Sequence, residues 1–252
     1  MGTYFCKPAL NTSPSVVVDG RWDTYSSDTT IVCDLGSVQE FTHIALISEG
    51  VTSYQAVGSG GNVAGVAVTL ATYKTGAGTD LKDSSGYDVN PVINGRHWDL
   101  FNWSGNIKNT ASSVTFTFTG SNIKIYGLYI LDAIIEMVEG ETYSVEWTQQ
   151  LAGFEQTSAR GRSNIVPPIA GQRDKKLVAL TTRPKYGDRE DLLARKIDAF
   201  MSQYPEFFWI TEYGRYPDQM FRAGNGDRNV RYQYRSDWKA LGRRASFIIK
   251  EL

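Results

Sequence analysis

The chain has 252 residues, 41% of them hydrophobic and 21% charged, and a formal net charge of −1, a composition that excludes wholesale disorder and allows two domains of ordinary size. No apolar run approaches the roughly 20 residues that a membrane-crossing helix needs. The near-neutral total hides a split, with residues 1–140 carrying a net −6 and residues 141–252 a net +5, which favours charge-complementary contact between domains or between copies.

The N-terminus, Met1-Gly-Thr-Tyr-Phe-Cys-Lys-Pro8, lacks the basic-then-apolar layout of a secretory signal, so synthesis in a cytoplasm is expected. Cys6 and Cys33 are expected to be free thiols, since a chain this large needs no disulfide to hold its core. Up to about Val138 the sequence is rich in Thr, Ser, Gly, Val and Tyr, and turn residues interrupt short apolar runs, as in an all-β domain. Strands are predicted at Thr30–Asp34 and Thr42–Ser48, around a Leu35-Gly-Ser37 turn. Further strands fall at Val66–Tyr73, Val114–Thr119 and, after a Gly120-Ser-Asn122 turn, Ile123–Leu131. Val114, Phe116 and Phe118 alternate with threonines, so one face should be buried and the other wet.

The second part is predicted to be α+β, with the domain boundary near 138/139. Thr142–Gln150 and Lys176–Thr182 read as strands. Asp188–Tyr204 reads as a helix with Asp188 as N-cap and Leu193, Ile197, Phe200 and Tyr204 as its core-facing stripe, and Pro205 ends it. Glu206–Tyr213 follows as an aromatic strand, Gly214–Arg228 as a long polar loop, and Val230–Asp237 and Ala245–Lys250 as strands.

Little of this pattern carries chemistry. Gly58-Ser-Gly-Gly-Asn-Val-Ala-Gly65 lacks the Gly-Lys-Ser/Thr ending of a phosphate loop and leads into a strand, so its glycines serve a turn. His43 and His97 belong to no metal-ligand spacing, no Gly-x-Ser-x-Gly elbow occurs, and the carboxylates are scattered, so neither an enzyme site, a metal nor a cofactor is expected. Arg228-Asn-Val-Arg231-Tyr-Gln-Tyr-Arg235 interleaves cations with aromatics as single-strand nucleic-acid surfaces do, but an alternating strand explains it better at a net +5.

Asp19-Gly-Arg-Trp-Asp-Thr-Tyr25 and Ile31-Val-Cys-Asp-Leu-Gly-Ser-Val-Gln-Glu-Phe-Thr-His-Ile-Ala-Leu46, with Ile123–Leu131 as a closing strand, resemble a discoidin-type, galactose-binding-like jelly roll. Asp19, Gly20, Thr24, Asp34, Leu35 and Gly36 are the matching positions. A jelly-roll half followed by a strand–helix–strand half is similar to distal tail and baseplate proteins of long-tailed bacteriophages. That resemblance implies a mainly β fold, with an N-terminal β-sandwich jelly roll (1–138) and a C-terminal tail-tube-like β-sandwich with one packed helix (139–252). It further implies a non-enzymatic virion protein made in the host cytoplasm, assembled as a hexameric ring through its second part and touching tube and hub proteins. Tyr216, Met220, Phe221 and Arg222, in the predicted loop, are candidates for an oligomerisation arm. The alternative function is a carbohydrate-binding module for host surface polysaccharide, in which Trp22, Tyr87, Trp98 or Trp103 would stack on a sugar ring.

Overall fold

The computed structural model of the chain describes residues 2–8, 15–19, 23–63, 65–70, 81–82, 88–89, 92–93, 96–103, 108–138, 143–150, 154–157, 163–166, 175–182, 192–210, 220–234 and 243–251. The fold is mainly β and antiparallel, with one α-helix among the described residues. In chain order the elements begin with β1 (Gly2–Pro8), a 3-10 turn (Ser15–Val17), β2 (Thr30–Phe41), β3 (His43–Ser59) and β4 (Val66–Thr69). The short strands β5 (Leu81–Lys82), β6 (Asp88–Val89) and β7 (Val92–Ile93) precede β8 (Arg96–Asn102) and β9 (Asn109–Val138). Then come β10 (Tyr143–Gln150), β11 (Phe154–Thr157), β12 (Ser163–Val166), β13 (Lys175–Thr182), α1 (Leu192–Gln203), β14 (Glu206–Ile210), β15 (Met220–Tyr234) and β16 (Arg243–Glu251). The chain divides into two compact units, one of residues 1–136 with 208–221 and the other of residues 137–207 with 222–252.

The first unit is organised by the pairing of β3 with β9. Both strands are long because they bend together rather than stop: the ladder shifts register between Ile47 and Ser48, between Glu49 and Val51 and between Val51 and Ser53. At the bend Gly50 has φ +74°, and a Cβ there would lie 2.1 Å from the Ser121 carbonyl oxygen, while a Cβ on Gly120 would lie 1.9 Å from the Gly50 carbonyl oxygen. Only glycine lets the backbones cross this closely. The Gly120-Ser-Asn122 signal therefore marks a bend inside β9, not the turn between two strands that the sequence predicts.

On one side of the bend β2 pairs with β9 and β4 with β3. Ile31, Cys33 and Leu35 of β2, Val114, Phe116 and Phe118 of β9, and Tyr54 and Ala56 of β3 are buried in one apolar cluster. Thr117 and Thr119 are exposed, as the alternation predicts. Each large side chain so buried contributes about 1.5–3 kcal/mol of transfer free energy. β2 also runs through its predicted turn. Its register jumps from Asp34↔Ser113 to Gln39↔Ala111, so Leu35–Val38 form a bulge. Asp34 Oδ1 accepts a hydrogen bond from the Gly36 N–H at 2.8 Å, and Gly36 takes φ +71°. On the other side of the bend β8 pairs with β3, and β1 lies between β9 and the Phe208–Ile210 part of β14. Cys6, Ala45, Trp98, Tyr129, Leu131, Phe208 and Ile210 form the second cluster, with the Tyr129 and Phe208 rings 4.6 Å apart.

In the second unit the strands run in the order β10-β13-β16-β15, and β11 and β12 form a separate hairpin. Val145↔Leu180↔Phe247 and Trp147↔Val178↔Ile249 align across three strands, and Val178, Leu180, Phe247 and Ile249 are buried. In α1, Ile197 and Phe200 are buried as expected, joined by Ala194 and Met201, while Arg195 and Lys196 are exposed. Leu193 and Tyr204 are half-buried, and the predicted N-cap Asp188 lies outside the described residues. The Tyr204 N–H donates to the Phe200 carbonyl at 2.8 Å, closing the last turn before Pro205.

The loop predicted at Gly214–Arg228 needs correction from residue 220 onward, because Met220–Arg228 lies within β15. Ala223 pairs with Glu251 and Gly224 with Lys250, and the register shifts on both sides of Asp227. Gly224-Asn-Gly-Asp227, which reads as loop, sits in an irregular strand held by the apolar alternation of β16.

Candidate functional site

The residues singled out from sequence scatter. Trp22, Tyr87 and Tyr216 lie outside the described residues. Trp98 is 2% exposed and packs in the second core cluster, so no face of its ring is open to a sugar. Trp103 is half-buried, with its ring edge-on to Phe41 at 5.3 Å and its backbone N–H donating to the Thr42 carbonyl at 2.9 Å. Met220 and Phe221 belong to β15, and Arg222 pairs with Glu206. The arm candidates that are described are thus strand residues, not members of a free loop.

The glycine stretch behaves as a backbone device. Asn62 clamps it onto β9: the Thr110 N–H donates to Asn62 Oδ1 at 2.8 Å and the Asn62 N–H donates to the Thr110 carbonyl at 3.1 Å. A Cβ on Gly61 would lie 1.8 Å from that carbonyl oxygen. The Asp19 and Thr24 pair is local too, with the Thr24 hydroxyl donating to Asp19 Oδ2 at 2.8 Å.

The most developed surface constellation comes from residues that the sequence reading passed over. Glu49 of β3 and Lys124 of β9 are register partners, and Lys124 Nζ lies 3.1 Å from Glu49 Oε2. The Tyr126 hydroxyl, on the same face of β9, donates to that carboxylate at 3.0 Å. The Arg96 guanidinium, at the start of β8, stacks 3.7 Å from the centre of the Tyr126 ring. Tyr25 completes the group, edge-on to Tyr126 at 5.6 Å, with Lys124 Nζ 5.6 Å from its ring centre and 47% of its surface exposed. Two backbone hydrogen bonds fix the Tyr25 segment, with the Ser26 N–H donating to the Ile125 carbonyl at 3.0 Å and the Ile125 N–H to the Ser26 carbonyl at 2.8 Å. The hydrogen bonds from Lys124 and Tyr126 hold the Glu49 carboxyl below the usual carboxylate range, so it is an acceptor at neutral pH.

A second polar group is built around the buried His43. His43 is 5% exposed, with Nδ1 2.8 Å from the Thr42 hydroxyl and its ring 5.1 Å from that of Tyr4. The Tyr4 hydroxyl donates to Glu136 Oε1 at 3.2 Å, and Lys108 bridges Asp132 at 2.9 Å and Glu40 at 3.3 Å. Burial lowers the His43 pKa despite the opposing Glu136 and Asp132 carboxylates, and burial raises Tyr4 to about 12. Thr42, His43 and Asp132 are buried, whereas Lys108, Glu40 and Glu136 reach the surface, so the group ties β1 and β3 to β9 at the margin of the core. Among the described residues no group of three or more His, Cys, Asp or Glu side chains is placed to hold a metal ion. Cys6 and Cys33 are both buried, and neither is in a disulfide.

No protein-family model matches the chain, and no curated protein matches it either.

Proposed function

We propose that the chain is a non-enzymatic structural protein of a bacteriophage tail tip or baseplate, in which the second unit is a tail-tube-like sandwich that assembles and the first is a peripheral jelly roll. The observation that carries this reading is β10. Among the described residues it is the terminal strand of the β10-β13-β16-β15 sheet, and it pairs with β13 at eight consecutive positions without a register shift. Its sequence, Tyr-Ser-Val-Glu-Trp-Thr-Gln-Gln, contains none of the lysines, prolines or bulges that blunt a sheet edge. A long, regular edge with a single charged residue, Glu146, suits extension of the sheet by a neighbouring copy. The experiment is the mass of the purified chain by light scattering across concentration, with negative-stain imaging of any large species. A defined oligomer or closed ring is the expected result, and a monomer at every concentration counts against the reading.

A second reading, a carbohydrate-binding first unit, is favoured by one observation: the exposed Tyr25 ring beside the Glu49 and Lys124 pair. The two readings concern different units and are compatible.

A further inference from the structure

We infer that Tyr25, Glu49 and Lys124, held by Tyr126 and Arg96, form a binding site for a neutral pyranose carrying two adjacent free hydroxyls. The inference rests on the second reading, the binding role of the first unit, and moves it from the tryptophans to a site on the strands β3, β8 and β9.

The chemistry follows from three features. First, Tyr25 leaves 47% of its surface in solvent although the next residue, Ser26, is held to Ile125 by two backbone hydrogen bonds. A rigid, exposed aromatic ring stacks on the C–H face of a sugar with little loss of side-chain entropy. Second, a carboxylate and an ammonium stand 3.1 Å apart, 41% and 34% exposed, with the ammonium 5.6 Å from the centre of that ring and over it. Glu49 accepts from Lys124 and Tyr126 but has further lone pairs, and Lys124 has three N–H donors. One sugar hydroxyl can therefore donate to Glu49 while its neighbour accepts from Lys124. Vicinal hydroxyls sit about one hydrogen-bond length apart, which matches this donor and acceptor pair. Third, the support is rigid. Tyr126 is 8% exposed, its hydroxyl bonded to Glu49 and its ring covered by Arg96, so the carboxylate is aimed before any ligand arrives.

The same geometry sets the ligand class. Lys124 is already paired with Glu49 and the Arg96 guanidinium is stacked on the Tyr126 ring, so a carboxylate or sulfate on the sugar would have to displace one of these contacts to reach a cation. A neutral ring satisfies both groups without displacing the ion pair.

The test uses the intact chain on an array printed with neutral and acidic pyranosides, followed by calorimetric titration with the methyl glycoside of the best neutral binder. Wild type should bind at least one neutral pyranoside. Tyr25→Ala and Glu49→Gln should each weaken that binding at least tenfold with thermal unfolding unchanged, and Val38→Ala, at a solvent-exposed position of the β2 bulge, should bind as wild type. Neutral-sugar binding that survives both Tyr25→Ala and Glu49→Gln overturns this site but keeps the carbohydrate reading. Binding to acidic sugars alone overturns the ligand class, and no binding to any sugar overturns the site and the carbohydrate reading together. Light scattering on the same samples keeps the assembly reading separate from all these outcomes.

Discussion

Glycines at two positions of positive φ separate backbone strain from steric exclusion. Gly36 has φ +71° with nothing within 4 Å of a built Cβ, whereas Gly50 has φ +74° and would bring a Cβ to 2.1 Å from backbone oxygen. Gly36→Ala should cost the left-handed strain alone, about 1–2 kcal/mol. Gly50→Ala adds the displacement of a neighbouring strand, for about 2–5 kcal/mol in all, measured by urea unfolding. Asp99 supplies a pH prediction. Its Oδ2 is buried without a hydrogen-bond partner, and burial raises its pKa from 3.8 to about 6. A raised carboxyl pKa means that the folded state binds the extra proton, so stability present below pH 3.8 is lost as pH rises through about 6. Asp99→Asn should therefore stabilise the protein above pH 6 by about 1–3 kcal/mol, a gain that fades toward pH 4 in thermal melts. At this scale the sequence was legible where chemistry is local. Asp34 and Gly36, Asp19 and Thr24, and the glycine stretch each act on neighbours within a few residues or on one facing strand. The Tyr25, Glu49, Arg96, Lys124 and Tyr126 group was not legible, because its members come from four segments that meet only through the β3–β9 register, the β3–β8 pairing and the Ser26–Ile125 bridge.

Among the elements, α1 was readable because four apolar residues at helical spacing and a following proline point to the same answer. Phe200 is 3% exposed, with its ring 5.5 Å from Phe207 and 5.0 Å from Tyr204. Phe200→Ala should cost about 3–5 kcal/mol in denaturant unfolding. Arg195→Ala, on the exposed face, should stay within about 0.5 kcal/mol. The strands β2, β9 and β15 were harder to delimit for one shared reason. Gly-containing polar runs look like chain reversals, yet a bulge or bend uses the same residues and keeps the ladder going. The first strand offers a separate check on packing. Cys6 is fully buried between strands, Cys33 is fully buried in β2, and burial pushes the Cys6 pKa up. Neither thiol should react with a thiol-specific disulfide reagent in the native protein, and both should react in urea. Rapid labelling of one thiol in buffer would mean that its strand opens without global unfolding.

For the whole molecule, the two candidate forces behind assembly answer differently to salt. The sequence carries a net −6 over residues 1–140 and +5 over residues 141–252, so copies could associate head to tail by charge alone. Such attraction acts across solvent and is screened within about 3 Å at 1 M salt. Extension of the sheet at β10 relies instead on backbone hydrogen bonds and apolar contact, which salt does not weaken. The proposed oligomer, followed by light scattering, should therefore persist at 1 M NaCl. Proline scanning identifies the edge itself, because successive residues of an antiparallel strand point their N–H groups to opposite sides. Of Val145→Pro and Glu146→Pro, one removes a donor to β13 and lowers the melting temperature. The other removes a donor from the outer edge and should leave the melting temperature nearly unchanged while dispersing the oligomer. If the variant that keeps its melting temperature still assembles, the β10 edge is not the interface. If instead wild type disperses in 1 M NaCl, the charge asymmetry is the driving force and the sheet edge is a bystander.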